Sequence, residues 1–200
     1  MISIGKQCKA LIFDCDGTLA DTMPLHLDSW ARAFAEFDEP YRPQFLDSLK
    51  GMNEVKIVQL YNQEFNRNLD PQLLVKTKHR YFREKAHLIQ PIEPIVMIAK
   101  ENAGKLPLAV VSGGLRENVL STLSGLDLVQ LFDVILTADD NLPPKPAPDL
   151  FLEAARRLKV EPEYCQVFED GDLGLEAARK ASMQVVDVRQ ILNTNNQETN

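Results

Sequence analysis

Two acidic residues separated by a single residue follow an apolar run near the amino terminus: Asp14 and Asp16, in the sequence DCDGT. At the end of a buried strand, two carboxylates this close repel each other and raise the pKa of one of them. A divalent cation relieves that conflict, and carboxylate oxygens are ligands that Mg²⁺ prefers. Gly17 frees the backbone to turn sharply after the pair. On its own such a segment is equally compatible with a solvated turn, so its function depends on the rest of the chain.

Polar residues also follow three later apolar runs. Ser112 ends one run and is followed by two glycines and a helical pattern, which places a hydroxyl and free N–H groups where an anion binds well. Lys145 lies in the proline-flanked sequence PKPAPD, and Glu169 and Asp170 end a further run. Ligands of open parallel sheets bind beyond the carboxyl ends of the strands. The four motifs therefore predict one site at that edge, which combines acidic residues with a serine and a lysine.

The elements that must position these residues are short strands and helices in alternation. The first four of five predicted strands are nearly continuous in apolar residues, which indicates burial on both faces. Helical patterns over Arg116–Ser124 and Pro148–Lys159 separate the later strands. We therefore predict an α/β fold with a doubly wound parallel sheet and a Rossmann-like core. The predicted strands are Lys9–Asp14, Leu106–Ser112, Asp133–Ala138, Tyr164–Asp170 and Met183–Val188.

A different pattern fills residues 22–88, which contain no convincing strand and consist of amphipathic helical patterns. Trp30 is predicted to lie in the core of this segment, and Leu74, Tyr81 and Leu88 are predicted to share one helical face. The chain thus makes one strand, leaves for a helical module and returns to finish the sheet. We predict a discontinuous core domain of residues 1–21 and 89–200, an inserted helical cap domain of residues 22–88, and a disordered polar tail at 193–200.

The composition limits the partners. A net charge of −7 and a pI near 5.0 argue against a nucleic-acid or anionic-membrane surface, both of which require basic patches. Three widely spaced cysteines predict neither a disulfide framework nor a zinc site. Reduced thiols, with no signal peptide or membrane-spanning apolar run, predict a cytoplasmic protein. We expect a monomer or a weak homodimer, with neither nucleic acid nor a membrane as its partner.

The four motifs, FDCDGT, VVSGG, KPAPD and FEDGDLG, occur in the order found in the haloacid-dehalogenase-like superfamily, which the chain resembles over nearly its whole length. The resemblance implies that Asp14 is the nucleophile and that Asp16 is the general acid and base. It implies a phosphate-binding group made of Ser112, the backbone N–H of Gly113, and Lys145. It also implies Mg²⁺ as cofactor, with the metal site formed by Asp14, the backbone carbonyl of Asp16, Asp170 and the adjacent Glu169.

The helical insertion resembles the cap of the subgroup that contains β-phosphoglucomutase and small sugar-phosphate phosphatases. That resemblance implies substrate-specificity roles for His26, Lys50 and Lys78. The alternatives are that His26 is an ordinary polar helix residue and that Lys78 is a solvated lysine. We interpret His79 and His87, in a strongly charged segment, as surface residues.

One departure from the mutase pattern favours a phosphatase. β-Phosphoglucomutases follow the lysine–glycine pair of the cap with serine and an arginine that binds a second phosphate, whereas Glu54 stands at the arginine position here. We therefore expect a magnesium-dependent phosphatase whose partner is a small phosphorylated metabolite, with a sugar phosphate as the favoured class. The reaction would pass through an aspartyl-phosphate, and a phosphosugar mutase is the alternative. A dehalogenase lacks the second aspartate, a response-regulator receiver lacks a cap, and an inactive sensor would have lost Asp14 or Asp16.

Overall fold

A parallel five-stranded sheet is the framework of the larger part of the computed structural model, which describes residues 4–49 and 52–197. The strand order is β5-β4-β1-β6-β7, and every neighbouring pair is parallel. All five predicted strands are confirmed, each shorter at its ends than the sequence predicted. Two further strands of two residues pair with each other in a separate antiparallel ribbon. The strands are β1 (Ala10–Phe13), β2 (Ala20–Asp21), β3 (Gln90–Pro91), β4 (Leu108–Val111), β5 (Val134–Leu136), β6 (Cys165–Glu169) and β7 (Gln184–Asp187).

Nine α-helices accompany these strands in the described part of the chain. Four lie in the segment between β2 and β3, and five follow β3. They are α1 (Met23–Glu36), α2 (Pro43–Asp47), α3 (Glu54–Phe65), α4 (Pro71–Glu84), α5 (Glu93–Asn102), α6 (Arg116–Gly125), α7 (Asp149–Leu158), α8 (Asp172–Lys180) and α9 (Val188–Gln197). The helical patterns predicted before β5 and before β6 therefore correspond to α6 and α7.

Both faces of the sheet are covered by helices. Successive residues of β1 point to opposite faces, so Ala10 and Ile12 pack in one apolar cluster while Leu11 and Phe13 pack in another. The first cluster includes residues of α7 and α8, and the second includes residues of α5, α6 and α9. All four β1 side chains are fully buried, which explains why the strand is continuous in apolar residues. The doubly wound α/β architecture predicted from the sequence is confirmed.

The chain divides into two compact units, one formed by Met1–Thr22 with Ile89–Asn200 and the other by Met23–Leu88. We call the first the core unit and the second the cap unit. The cap unit has an aromatic centre in which Trp30, Phe34 and Tyr61 are buried, as predicted for Trp30. Leu88 was predicted to share a helical face with Leu74 and Tyr81, but the residue is 57% exposed. It lies beyond α4 in a short 3₁₀ turn, where the α-helical periodicity no longer applies.

The carboxyl-terminal segment differs in part from the prediction. Residues 193–197, expected to be disordered, continue helix α9, while 198–200 lie outside the described residues. The helix is anchored at its start, because Val188 is buried and Ile191 and Leu192 pack against the second apolar cluster. Within the described residues, the helices are all too short or too polar to cross a membrane.

Candidate active site

Asp14 is the first residue after β1, and its backbone N–H still donates to the Phe168 carbonyl of β6, at 3.0 Å. The side chain is buried, so its carboxylate needs partners. The Lys145 ammonium supplies one, with Nζ 2.7 Å from Oδ1 of Asp14. Because Phe13 pairs with Val110 of β4 on one side and Phe168 of β6 on the other, the three strands end at the same level. Asp14 therefore lies between the ends of two neighbouring strands.

Lys145 connects these strand ends. Its Nζ donates to Asp14 Oδ1 at 2.7 Å, to Glu169 Oε2 at 2.7 Å and to the Val111 carbonyl oxygen at 3.1 Å. An ammonium has three donors, and each has an acceptor here. Burial alone would lower the pKa of Lys145, but the two carboxylates outweigh it and hold that pKa above its usual value. Lys145 is therefore a fixed, permanently charged group at the carboxyl edge of the sheet.

Glu169 is the last residue of β6, and its carboxylate bonds to the loop that follows the strand. Its Oε1 accepts hydrogen bonds from the backbone N–H of Gly171 at 2.9 Å and of Asp170 at 3.2 Å. Helix α8 approaches so closely that a Cβ atom at Gly174 would lie 1.9 Å from Glu169 Oε2. Only glycine fits there. Gly174 is the last residue of the fourth motif, FEDGDLG, and no role was predicted for it.

Asp170 faces the loop that follows β1. Its Oδ1 accepts a hydrogen bond from the buried Thr18 hydroxyl at 2.9 Å. Gly17 has φ +90°, and a Cβ atom on it would lie 2.3 Å from Asp170 Oδ2. The backbone conformation and the close approach both require glycine at this position. Burial raises the pKa of Asp170 above its usual value.

Three carboxylates meet at this edge: Asp14, Glu169 and Asp170 each offer an oxygen within 4.8 Å of the others. With Lys145 they form what we call the core cluster. Burial raises the pKa of Asp14 well above its usual range, Lys145 opposes that shift, and the charges of Glu169 and Asp16 add to it. One ammonium does not neutralise three acids. The donor set, carboxylate oxygens with excess negative charge, is the one that a hard divalent cation such as Mg²⁺ requires.

The side chains of Ser112 and Asp16 both lie close to Gly114. The buried Ser112 hydroxyl accepts a hydrogen bond from the Gly114 N–H at 3.0 Å, and its own proton stays available for an anion. A Cβ atom at Gly114 would lie 3.6 Å from Asp16 Oδ2, so the Asp16 carboxylate lies beside this loop. Gly113, which lies between Ser112 and Gly114 in the sequence, is exposed. The structure thus brings a hydroxyl and a fourth carboxylate, that of Asp16, to the same edge of the sheet as the core cluster.

Two acidic residues hold the Ser112 loop in place, although no role was predicted for either. Asp139 accepts from the backbone N–H of Arg116 at 2.6 Å, and Asp140 accepts from the Arg116 guanidinium at 2.8 Å. Arg116 also donates to the Ile135 carbonyl of β5. These bonds join the start of α6 to the end of β5. The only sequence signal was the acidic pair directly after a predicted strand.

The cap unit holds a second polar group of residues, which we call the cap cluster: His26, Glu54, Lys78 and His79. Lys78 Nζ lies 2.6 Å from Glu54 Oε1 and 2.9 Å from His26 Nδ1, while His79 Nε2 bonds to Glu54 Oε2. The structure therefore brings together two of the predicted cap residues, and the third, Lys50, lies outside the described residues. Lys78 is only 1% exposed, so it is not a solvated helix lysine.

His79 was predicted at the surface, and that prediction is wrong: the residue is buried. Its partner Glu54 begins α3, whereas His79 lies in α4, and the two helices pack side by side. His87 is exposed, as predicted. Burial would raise the pKa of Glu54, but the hydrogen bond from His79 and the charge of Lys78 lower it to about 2.

Side-chain caps fix where α3 and α4 begin and so set the cap cluster. Asn53 accepts from the Lys56 N–H, which starts α3 one residue before Glu54. Asp70 accepts from the N–H groups of Gln72 and Leu73, and Pro71 occupies the first helical position of α4. The cap cluster is therefore built on regular helices.

The chain is similar to known proteins over most of its length. The profile of the haloacid dehalogenase-like hydrolase family matches residues 11–188. The chain is 38% identical over 186 residues to fructose-1-phosphate phosphatase YqaB of Escherichia coli (strain K12), which covers 92% of this chain and 98% of that protein. It is 29% identical over 197 residues to β-phosphoglucomutase of Bacillus subtilis (strain 168), covering 91% and 84%. The crystal structure of CbbY from Rhodobacter sphaeroides in complex with phosphate superposes with a TM-score of 0.77 at 25% identity, covering 89% and 84%.

Proposed function

The chain belongs to the haloacid dehalogenase-like hydrolase family, and we propose that it is a magnesium-dependent phosphatase that hydrolyses a sugar phosphate through an aspartyl-phosphate on Asp14. One observation carries the proposal. A buried carboxylate, a lysine and two further carboxylates converge where β1, β4 and β6 end. This is the combination needed to attack a phosphorus atom while the charge of a phosphoryl group is neutralised.

In the first half of the reaction, the Asp14 carboxylate attacks phosphorus. An oxygen–phosphorus bond forms to Asp14 as the bond from phosphorus to the sugar oxygen breaks. Asp16 gives its proton to the departing alkoxide, which leaves as a neutral hydroxyl. The Ser112 hydroxyl, the Gly113 N–H and Lys145 hold the phosphoryl oxygens. Lys145 also favours the ionised form of Asp14, which burial disfavours.

In the second half, water hydrolyses the acyl phosphate. Asp16, now ionised, takes a proton from the water while the water oxygen bonds to phosphorus. The bond to Asp14 breaks, inorganic phosphate leaves, and both carboxyl groups return to their starting states. The acceleration expected from a general acid and base of this kind is roughly 10²–10⁴-fold.

The donor set of the core cluster fits Mg²⁺. We propose that Asp14, Asp170 and the backbone carbonyl of Asp16 hold the ion, with Glu169 beside them. When bound, it supplies positive charge that stabilises the transferring phosphoryl group. Glu169 already uses Oε1 for two backbone N–H groups and Oε2 for Lys145, so we assign it chiefly to holding the loop and the lysine.

The name of one relative, a fructose-1-phosphate phosphatase that this chain nearly spans, supports phosphatase activity on a sugar phosphate. A phosphosugar mutase stays the alternative, because another relative is a β-phosphoglucomutase. Glu54 stands where the mutase pattern has an arginine for a second phosphate, which favours the phosphatase. We further propose that His26, Lys50 and Lys78 of the cap determine the substrate. The three cysteines are free, which agrees with a cytoplasmic protein.

A turnover screen with Mg²⁺ tests the proposal. Fructose 1-phosphate, glucose 1-phosphate and glucose 6-phosphate are supplied in turn, and phosphate release is measured together with the sugar product. Release of inorganic phosphate supports the phosphatase. Isomerisation of glucose 1-phosphate without net release would instead establish the mutase.

A further inference from the structure

The cap cluster contains a fully buried lysine and a carboxylate that takes no part in the chemistry at Asp14. Both oxygens of Glu54 are engaged, one by Lys78 at 2.6 Å and the other by His79. Ion pairs inside a protein contribute little net stability compared with apolar side chains of similar size. The surrounding core of the cap unit is aromatic and aliphatic, so apolar residues would fit there. Packing stability alone therefore does not account for the polar residues of the cap cluster.

The residues of the cap cluster differ in how much of each side chain is exposed. The side chain of Lys78 is 1% exposed and that of His79 is 10% exposed, but that of Glu54 is 31% exposed. The ring centroids of Trp30 and Phe82 lie 5.7 Å and 5.6 Å from Lys78 Nζ, so the two rings shield the ammonium further. A molecule that approaches the cap cluster from solvent thus meets the Glu54 carboxylate before it meets the Lys78 ammonium or the His79 ring.

Glu54 is an anionic acceptor with capacity to spare. Each carboxylate oxygen offers about two lone-pair sites, and Lys78 and His79 use one site on each oxygen. Because those contacts lower its pKa to about 2, the group is ionised throughout the neutral range. An ionised carboxylate accepts hydrogen bonds from hydroxyl groups and repels phosphate dianions.

We propose that Glu54 is a specificity-determining residue, which binds hydroxyl groups of the non-reacting part of the substrate and excludes substrates that carry a second phosphate. The inference rests on the proposed function, because it assumes phosphomonoester hydrolysis at Asp14. It also changes the role of Lys78. A lysine covered on all sides positions Glu54, as His79 does, and its ammonium is not the group that meets the sugar.

The test compares two substrates that differ by one phosphate, fructose 1-phosphate and fructose 1,6-bisphosphate. The ratio of their kcat/KM values is measured for the wild type and for Glu54→Gln. The substitution removes the charge but keeps the size, so we expect the preference for the monophosphate to fall by about tenfold or more. Glu64→Gln is the matched control, because Glu64 is an exposed residue of the same helix. It should leave the ratio within about twofold of the wild type.

An unchanged ratio in a folded Glu54→Gln protein would overturn the proposal while leaving the phosphatase intact. If the wild type releases phosphate from neither fructose 1-phosphate nor p-nitrophenyl phosphate, the proposed function fails and this inference fails with it. Folding is checked by circular dichroism and thermal unfolding. Should Glu54→Gln not fold, the double variant Glu54→Gln/Lys78→Met decides, since it removes the buried cation with its partner. A lowered ratio in the double variant supports the inference, and an unchanged ratio overturns it.

Discussion

The core cluster and the cap cluster each contain a buried lysine bonded to carboxylate, yet their charge balance differs. Lys145 contacts two carboxylates, and a third lies within 4.8 Å of both, so negative charge is in excess. In the cap cluster, Lys78 and His79 share a single carboxylate, so the charge of Lys78 is matched by one acid. The first arrangement leaves a need for a cation, and the second leaves none. Because both lysines are largely buried and only the number of neighbouring acids differs, we expect a metal ion at the core cluster and not at the cap cluster.

The largest effect is expected at Asp14. Asp14→Asn removes the nucleophile but keeps the size of the side chain, so we expect turnover to fall by about 10⁴-fold or more with the fold intact. Phosphate release and circular dichroism are measured together. Asp127→Asn is the control, because Asp127 is exposed and has φ 55°, a conformation that asparagine tolerates. Phosphate release by Asp14→Asn within tenfold of the wild type would rule out the covalent mechanism.

Metal removal tests the excess negative charge of the core cluster. We expect EDTA to abolish activity, added Mg²⁺ to restore it, and Ca²⁺ to inhibit, since calcium has a larger and looser coordination shell. Phosphate release is followed during a Mg²⁺ titration of metal-free protein. Full activity in metal-free buffer would show that the three acids do not need a cation.

Gly174→Ala tests whether the Glu169 carboxylate must stay where it is. The added methyl would lie 1.9 Å from Glu169 Oε2, so we expect Glu169 to shift away from Lys145. Overpacking of this kind costs about 1–3 kcal/mol of stability, and activity should fall with it. Glu176→Ala, at an exposed position of the same helix, is expected to change stability by about 0.5 kcal/mol or less. Wild-type activity and stability in Gly174→Ala would mean that α8 can move freely.

The paired state of Glu54 predicts a pH dependence of stability. Its pKa is about 2 in the folded protein and near 4.5 when unperturbed, so its stabilising contribution is complete above about pH 4.5 and is lost as the pH falls towards 2. Since the side chain is 31% exposed, we expect about 1–2 kcal/mol. Chemical denaturation from about pH 6 to pH 3 should show the wild type approaching Glu54→Gln in stability. A constant difference over that range would contradict the pairing.

The smallest effect is expected from the edge of the cap cluster. His26 bonds to Lys78 and stacks on Phe82 with ring centroids 4.5 Å apart. We expect His26→Ala to lower kcat/KM by about tenfold on the preferred sugar phosphate and by much less on p-nitrophenyl phosphate, which has no sugar. Asp16→Ala should impair both substrates. Equal losses on both substrates for His26→Ala would mean that the cap does not read the sugar.

The core cluster was predictable because its residues follow apolar strands, and parallel strands bring their carboxyl ends to one edge. No such rule applied to the cap cluster. Glu54 and His79 are on different helices, and a charged helical segment with no visible partner led to the wrong prediction that His79 is at the surface. The role of Gly174 was also not predictable. The glycine belongs to a recognised motif, but the close approach of the Glu169 carboxylate to α8 depends on the geometry of the turn between them, which hydrophobic periodicity does not reveal.

The short ribbon of β2 and β3 has a consequence for how such a chain can change. Ala20 pairs with Pro91, and the Ile92 N–H donates to the Leu19 carbonyl, so the points where the chain leaves and re-enters the core unit are neighbours. The cost of closing a loop rises only slowly with its length. We therefore expect that the segment between these two points can be lengthened, shortened or exchanged with little effect on the sheet, so that chains with different segments there would share one core and differ in substrate range.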